Sequence, residues 1–155
     1  MEEAKVPGAA RDLHNLRRFV QAQEESYEQA LSEISNGCKR SHWMWYIFPQ
    51  FDGLGASWTS KCYSVKSVAE AEAYLAHPVL GPRLVECAEA VLRVQGLSAV
   101  DIFGSPDEMK LRSCATLFAF VSPEGSVFHR LIDKYFRGEQ DDRTLRLIRK
   151  VEPRR

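Results

Sequence analysis

Apolar side chains recur at intervals of three and four residues along most of this chain, which is the spacing of one face of an α-helix. Residues 12–35 keep this spacing throughout, and the Asn36-Gly37 pair that follows is a typical helix stop. The same periodicity predicts a short helix that starts near residue 42 and ends before Pro49. It also predicts helices over residues 67–76, 78–95, 105–121, 127–136 and 142–150.

Capping and turn residues mark the ends of several predicted helices. Ser67-Val-Ala-Glu70 matches a capping box, and Ser105-Pro106 places a cap before a proline at the first helical position. Gly138 ends the helix over 127–136, and either Asp141 or Asp142 caps the last helix. These signals divide the last third of the chain into three helices.

Strand signals are weak by comparison. Only SVK at 64–66 and SAVDIF at 98–103 resemble strands, and the second fits a helical turn better. The sequence therefore predicts an all-α fold, a single compact multihelical domain of about seven helices with short connections. We expect this domain to span residues 12–150, with flexible tails at 1–11 and 151–155.

The segment SHWMWYIFPQ, residues 41–50, concentrates aromatic side chains. If it is helical, none of its faces is left for water, which predicts a helix packed on more than one side. Its two indoles, its phenol and its imidazole each need a hydrogen-bond partner if they are buried, at a cost of about 1–3 kcal/mol without one. The partners could come from the protein, from water or from a ligand.

Two cations stand immediately before this segment. Lys39 and Arg40 precede a helix N-terminus, which already presents positive charge through its free N–H groups. An anion held by Lys39, Arg40, the Ser41 hydroxyl and the first backbone amides would balance that charge. Trp43, Trp45 and Tyr46 alongside would suit a planar group. The alternative is that the two cations simply extend into solvent.

Composition limits the wider possibilities. Lys plus Arg equals Asp plus Glu at 21 each, so the net charge does not favour nucleic acid or an anionic membrane as partner. No apolar run approaches the roughly 20 residues of a membrane span, and the first residues lack a signal-peptide pattern, so we expect a cytoplasmic protein. The four cysteines stand singly and predict free thiols and no metal site.

The motif KRSHWMWYIFPQ resembles the defining motif of a bacterial and eukaryotic protein family of unknown function that is often labelled calpastatin. The resemblance extends over about residues 12–147 through GLGAS, EAEAYLAHPVLGPRLVEC, IFGSPDEMKLRSCATLF and FHRLIDKYFRGEQDDRTL. It implies a compact multihelical domain and no established activity. The calpain inhibitor called calpastatin is a long disordered repeat protein, whereas this composition is that of a globular domain. Trp58 and Ala115 depart from the residues expected at their positions.

Several polar residues near the motif could do chemistry. His42 is the candidate for acid–base catalysis because imidazole titrates near neutrality, although a lone histidine among aromatic rings is often only a structural hydrogen-bonder. Gln50 and Asp52 lie on a loop beside Gly53, where glycine permits close backbone approach, or where they serve ordinary turn geometry. Arg112 could reach inward to a ligand anion or a buried carboxylate.

Three functional classes remain open. The first is a small-ligand binding protein or hydrolase-like enzyme, with an anion and aromatic pocket for a nucleotide or ADP-ribose-like ligand. Its candidate catalytic residues are His42 and Asp52, and its candidate ligand-binding residues are Lys39, Arg40, Ser41, Trp43, Trp45, Tyr46, Gln50, Gly53 and Arg112. The second class is a helical protein–protein interaction module with an exposed aromatic patch. The third is a nucleic-acid binder that uses the basic C-terminal helix. No cofactor is predicted, and the sequence leaves the reaction and oligomeric state open.

Overall fold

The computed structural model describes residues 12–153, and the helical fold class predicted from the sequence is confirmed. The described residues contain ten helices rather than about seven, so the predicted number was wrong. In chain order they are α1 (Arg17–Gln23), α2 (Tyr27–Ser35), α3 (Met44–Ile47), α4 (Trp58–Cys62), α5 (Val68–Ala76), α6 (Leu80–Arg93), α7 (Ala99–Phe103), α8 (Asp107–Phe120), α9 (Val127–Phe136) and α10 (Asp142–Val151). The tail predicted at 1–11 and the last two residues of the tail predicted at 151–155 lie outside the described residues.

The single long helix predicted over residues 12–35 is two helices, α1 and α2, joined by a turn at 24–26. Just before α1 begins, the Asp12 carboxylate accepts hydrogen bonds from the backbone N–H of Leu16 (2.8 Å) and of Arg17 (3.0 Å). The turn lets each helix bury its own apolar face. Phe19 of α1 packs edge-on against Tyr74 of α5, whereas α2 packs on α6. Periodicity alone did not distinguish one helix from two.

The other additional helices are short and belong to the loops. Helix α4 lies in the segment predicted as a glycine-bearing loop, and its first turn is capped by the Ser57 hydroxyl, which accepts from Ser60 N at 3.1 Å. Helix α7 is the helical turn expected at 98–103, with a reciprocal capping box between Ser98 and Asp101. Outside the helices, one isolated parallel bridge joins Phe51 to Val65 in residues 12–153.

Helix α8 lies at the centre of the fold and packs against α7, α9 and α10, while α6 contacts α2, α5 and α9. The α5–α6 junction requires glycine, because a Cβ at Gly81 would lie 2.1 Å from the backbone oxygen of Leu75. The aromatic motif joins the core at one end of this arrangement. Trp43 and Phe48 pack on Phe103 of α7, with ring centroids 6.4 and 6.0 Å away. The motif is therefore held between α2 and the α7–α8 corner.

Neither a membrane-spanning helix nor a metal-binding cluster is found among residues 12–153. None of their helices is long and apolar enough to cross a membrane. No group of three or more His, Cys, Asp or Glu residues among them is arranged to hold a metal ion. The four cysteines are free thiols, as their single positions predicted, and Cys87 and Cys114 are buried.

Candidate functional site

The basic N-terminal end of the aromatic motif surrounds a carboxylate of the protein itself. Glu33 of α2 is buried, and its Oε1 accepts hydrogen bonds from the backbone N–H of Arg40 (2.8 Å) and Ser41 (3.1 Å). The indole N–H of Trp43 donates to the same oxygen at 2.9 Å. Oε2 accepts from the Ser41 hydroxyl at 2.6 Å and from the Gln29 amide at 3.1 Å. Five donors thus converge on one side chain.

These donors decide the ionisation of Glu33. Burial by itself would raise the pKa of this carboxyl group, but the hydrogen bonds from Ser41, Arg40 and Trp43 outweigh burial and lower the pKa from 4.5 to about 2. Glu33 is therefore an anion at neutral pH. The sequence suggested that the Ser41 hydroxyl and the loop amides bind an external anion. In the structure these groups donate to the Glu33 carboxylate.

Lys39 turns away from Glu33 toward helix α8. Its ammonium lies 2.8 Å from Asp107 Oδ2, donates to the backbone oxygen of Ser41 at 2.5 Å, and lies over the Trp43 ring at 5.0 Å from the centroid. Lys110 contacts the other oxygen of Asp107 at 3.0 Å. Burial acts to raise the pKa of Asp107, but the two ammonium groups lower it overall. Asp107 therefore stands between two cations.

The indole, phenol and imidazole groups of the motif differ in whether they have hydrogen-bond partners in the protein. Trp43 is 1% exposed, with its indole bound to Glu33, and the Tyr46 hydroxyl lies 3.1 Å from Ser26 Oγ. Trp45 is only partly buried, and His42 is exposed. Within residues 12–153, neither the Trp45 indole N–H nor the His42 imidazole makes a hydrogen bond. The motif is therefore partly core and partly surface.

Trp45 forms one wall of an open groove of ≈ 250 Å³ between the end of the motif, the first turns of α8 and the start of α10. We call this the Trp45 groove; its aromatic and polar lining residues are Trp45, Gln50, Lys110, Ser113, Asp141 and Arg143. The Lys110 ammonium lies over the Trp45 ring, 4.0 Å from its centroid. An aromatic face, a cation, an amide and a hydroxyl thus meet in one concavity.

Of the sequence-predicted residues, only Trp45 and Gln50 line this groove. His42 and Arg40 are exposed on the loop before α3. Asp52 accepts a hydrogen bond from the Ser64 hydroxyl at 2.7 Å and lies 3.9 Å from the Lys66 ammonium. Among the described residues, no hydrogen bond or ion pair joins His42 to Asp52.

Gly53 and Arg112 lie against other parts of the chain. Gly53 has φ +106° and faces Leu147 of α10, so that an added Cβ would be 3.1 Å from that side chain. Arg112 donates to the backbone oxygens of Glu139 at 2.8 Å and Gln140 at 3.0 Å. Its guanidinium thus ties α8 to the loop between α9 and α10.

Sequence reasoning missed several residues that shape this region. Glu33 continues the three-residue spacing of the buried Tyr27 and Ala30, and an acid on a buried helix face was the available signal. Lys110 follows Asp107 by three residues, a spacing typical of an ordinary surface pair on a helix, so it carries no signal of a site. Arg143 was seen only as part of the basic C-terminal helix. No sequence signal places Lys110 or Arg143 beside Trp45, because these residues come from separate helices.

The two alternative functional classes, a protein-interaction module and a nucleic-acid binder, would use different surfaces of the protein. A docking patch built on Trp43 is not available because that side chain is buried, whereas Trp58 is 77% exposed. The basic residues of α10 leave a shallow surface lined by Arg143, Arg146, Leu147 and Lys150. Arg146 there pairs with Asp142 at 2.8 Å.

Comparison with known proteins gives a family but no activity. The family model described as protein of unknown function (DUF1810) matches residues 13–148. The fold is also similar to the crystal structure of the conserved hypothetical protein Rv1873 from Mycobacterium tuberculosis, with a TM-score of 0.86 and 47% sequence identity. That match covers 87% of this chain and 96% of the other. No curated protein matches the sequence.

Proposed function

The chain belongs to the DUF1810 family of proteins of unknown function, and we propose that it binds a small ligand in the Trp45 groove. The ligand class is an anionic group joined to a planar ring, as in a nucleotide or an ADP-ribose-like molecule. The observation that carries the proposal is the placement of the Lys110 ammonium 4.0 Å from the centroid of the Trp45 ring, within one groove. Together they offer an anion contact next to an aromatic face.

The charge balance around the groove favours an anion. Lys39 and Lys110 share the single carboxylate of Asp107, which leaves positive charge in excess. Arg143 adds a further cation at the rim, and within residues 12–153 its guanidinium has no ion-pair partner. The carboxylate that lines the groove itself, Asp141, caps α10, where its Oδ2 accepts from Thr144 N at 3.1 Å. A phosphate would therefore meet more cations than carboxylates.

Two neutral groups could orient the ligand. The Gln50 side-chain amide lines the groove without a hydrogen bond from the described part of the chain, although its backbone oxygen accepts from Val65 N at 2.8 Å. An amide can both donate and accept, which suits the edge of a nucleobase. The buried Ser113 hydroxyl has two acceptors for its proton, Met109 O at 3.1 Å and Asp141 Oδ2 at 3.2 Å, and it retains lone pairs for a donor on the ligand.

The size of the groove limits how the ligand is held. Pockets for drug-sized molecules usually measure about 300–1,000 Å³. At ≈ 250 Å³, the Trp45 groove would enclose one end of a nucleotide-like molecule, and the rest would lie on the open surface. The size of the groove therefore favours a ligand-binding protein over an enzyme that must enclose its substrate. A hydrolytic form would use His42 or Asp52, but neither side chain lines the groove.

The test is a thermal-shift screen of nucleotides, dinucleotides, sugar phosphates and ADP-ribose. A ligand at a hundred times its Kd should stabilise the protein by about 2.7 kcal/mol. Lys110→Gln should abolish or strongly reduce the shift produced by the best ligand, because it removes the ammonium group and keeps a side chain of similar length. Lys61→Gln, at an exposed lysine outside the groove, is the matched control and should leave the shift unchanged.

A second pair of variants tests the aromatic wall. Trp45→Leu should lower the affinity for the ligand, whereas Trp58→Leu, at the exposed tryptophan, should leave it unchanged. The proposal is wrong if no compound in the screen shifts the melting temperature at millimolar concentration. It is equally wrong if the shift survives intact in both Lys110→Gln and Trp45→Leu.

A further inference from the structure

A second groove lies next to the Trp45 groove, on the neighbouring face of helix α8. It measures ≈ 240 Å³ and is lined by Val100, Glu108, Met109, Arg112, Tyr135 and Phe136, and we call it the Glu108 groove. Lys110 and Ser113 of α8 line the Trp45 groove, whereas Glu108 and Arg112 line this one. Met109 lines both. The two grooves therefore share an edge but present different polar groups.

The Glu108 carboxylate lacks a partner in this part of the structure. Its Oε1 is buried, and no hydrogen bond reaches it from residues 12–153. Glu108 is the second residue of α8, where the positive end of the helix stabilises a negative side chain. One oxygen of this side chain therefore has no donor among the described residues. A buried oxygen of this kind is unfavourable unless something else binds it.

The nearest lining cation does not neutralise Glu108. Arg112 directs Nε to the backbone oxygen of Glu139 at 2.8 Å and Nη2 to that of Gln140 at 3.0 Å. The same Nη2 lies 3.7 Å from the Glu139 carboxylate. Within the described residues no ion pair joins Arg112 to Glu108. The guanidinium is therefore committed to the α9–α10 loop.

Besides Glu108, Arg112 and Ser98, the lining of the groove is apolar or aromatic, and it reaches the surface. Val100 and Met109 are 51% and 60% exposed at its mouth. Tyr135 and Phe136 of α9 supply aromatic rings, and the Tyr135 hydroxyl donates to Val91 O at 2.6 Å. Each ring already has a cation near one face: Lys134 lies 5.2 Å from the Tyr135 centroid and Arg112 lies 5.9 Å from the Phe136 centroid. With that hydroxyl occupied, Tyr135 offers its hydrocarbon ring. A ligand that fits must be apolar along most of its length and cationic at one end.

From this arrangement we infer that the Glu108 groove binds a primary ammonium group on an apolar stem. That chemistry is shared by small alkylamines and by the lysine side chain of a peptide. The ammonium would donate from the groove to the Glu108 carboxylate in a charge-assisted hydrogen bond. The stem would pack against Val100, Met109 and the α9 rings. The volume suits one such chain and does not suit a folded partner.

Calorimetric titration of the intact protein with hexylamine tests the inference. Hexylamine should bind, whereas hexanol, which has the same stem without the charge, should bind at least roughly tenfold more weakly. A short lysine peptide and its acetylated form distinguish the two sources of the ammonium group. Binding of the lysine peptide in preference to hexylamine would assign the groove to a protein segment, and the reverse order would assign it to a small amine.

Glu108→Gln should reduce hexylamine affinity by roughly tenfold or more, because the amide keeps the shape of the side chain and removes its charge. Glu89→Gln, at an exposed glutamate of α6, changes the net charge equally and should have no effect. Val100→Trp, at a half-exposed position, would block the mouth of the Glu108 groove and should also lower the affinity for hexylamine. Equal binding of hexylamine and hexanol would overturn the inference. Unchanged hexylamine affinity in Glu108→Gln, with the melting curve showing a folded protein, would overturn it as well.

Discussion

The indole nitrogen of Trp43 donates a hydrogen bond at 2.9 Å to Oε1 of Glu33, a residue ten positions earlier on a different helix. This contact explains how a tryptophan that is 1% exposed satisfies its N–H group. It also links the aromatic motif to α2, because the same carboxylate holds Arg40 N, Ser41 N and the Ser41 hydroxyl. Glu33 therefore organises the loop before α3 from within the protein.

Glu33→Gln should destabilise the protein by about 1–3 kcal/mol, because a neutral amide cannot accept from all five donors and adds an N–H group that needs its own acceptor. Urea denaturation followed by tryptophan fluorescence measures the change. Glu25→Gln, at an exposed glutamate in the α1–α2 turn, should alter stability by less than about 0.5 kcal/mol. Equal effects of the two substitutions would contradict the structural role of Glu33.

The lowered pKa of Glu33 makes its contribution depend on pH. The folded-state pKa of about 2 lies below the ordinary value of 4.5, so the stabilisation is fully present above pH 4.5 and is lost as the pH falls toward 2. The stability difference between the native protein and Glu33→Gln should therefore narrow over this interval. Denaturation midpoints measured at several pH values from 6 to 2.5 would reveal it. A difference that stays constant over that interval would show that Glu33 has an ordinary pKa.

Arg18 joins α1 to the segment before α5, and its removal should be costly. Its guanidinium donates to the backbone oxygens of Cys62 and Ser64, each at 2.7 Å, and pairs with the buried Glu70 at 2.8 Å. Arg18→Met leaves Glu70 without its cation, for which we expect about 3 kcal/mol or more of destabilisation. The adjacent Arg17 is exposed, so Arg17→Met should change stability by less than about 0.5 kcal/mol. Chemical denaturation of both variants makes the comparison.

The four thiols should react with Ellman's reagent in the order of their exposure. Cys38 is exposed and Cys62 is partly buried, whereas Cys87 and Cys114 are buried. Burial raises the pKa of Cys87 from 9.0 to about 12 and that of Cys114 well above its usual value, so both remain protonated and unreactive. We expect a fast phase from Cys38, a slower one from Cys62, and reaction of the other two only in denaturant. Cys38→Ser should remove the fast phase alone. Loss of a different phase would contradict the assignment of the fast phase to Cys38.

Local signals were enough to predict most helices but not their breaks. Ser67 caps α5 as the sequence indicated, and of the two aspartates that the sequence offered for α10, Asp141 is the cap; each side-chain oxygen binds a backbone N–H only three residues away. The turn between α1 and α2 escaped prediction, since the periodicity of apolar residues continues across it. The short helix α4 escaped because its segment also carries the glycines of a loop.

The candidate site was predicted in part. The aromatic motif and its basic start were recognisable from residue type, and Trp45 and Gln50 do line a groove. The partner of each cation was not predictable. Asp107 and Lys110 lie far from Lys39 and Trp45 in the sequence, and only packing of α8 beside the motif brings these groups together.

By itself, the sequence determined the helical class, several of the helix ends that nearby side chains cap, and the burial of part of the aromatic motif, because each depends on residue type and short-range spacing. Only the tertiary structure decided that Glu33 occupies the ring of donors from Arg40 to Trp43. It also decided that Trp43 is core while Trp45 meets Lys110 at a groove. Such pairings depend on how separate helices pack in three dimensions, and a one-dimensional pattern does not specify that arrangement.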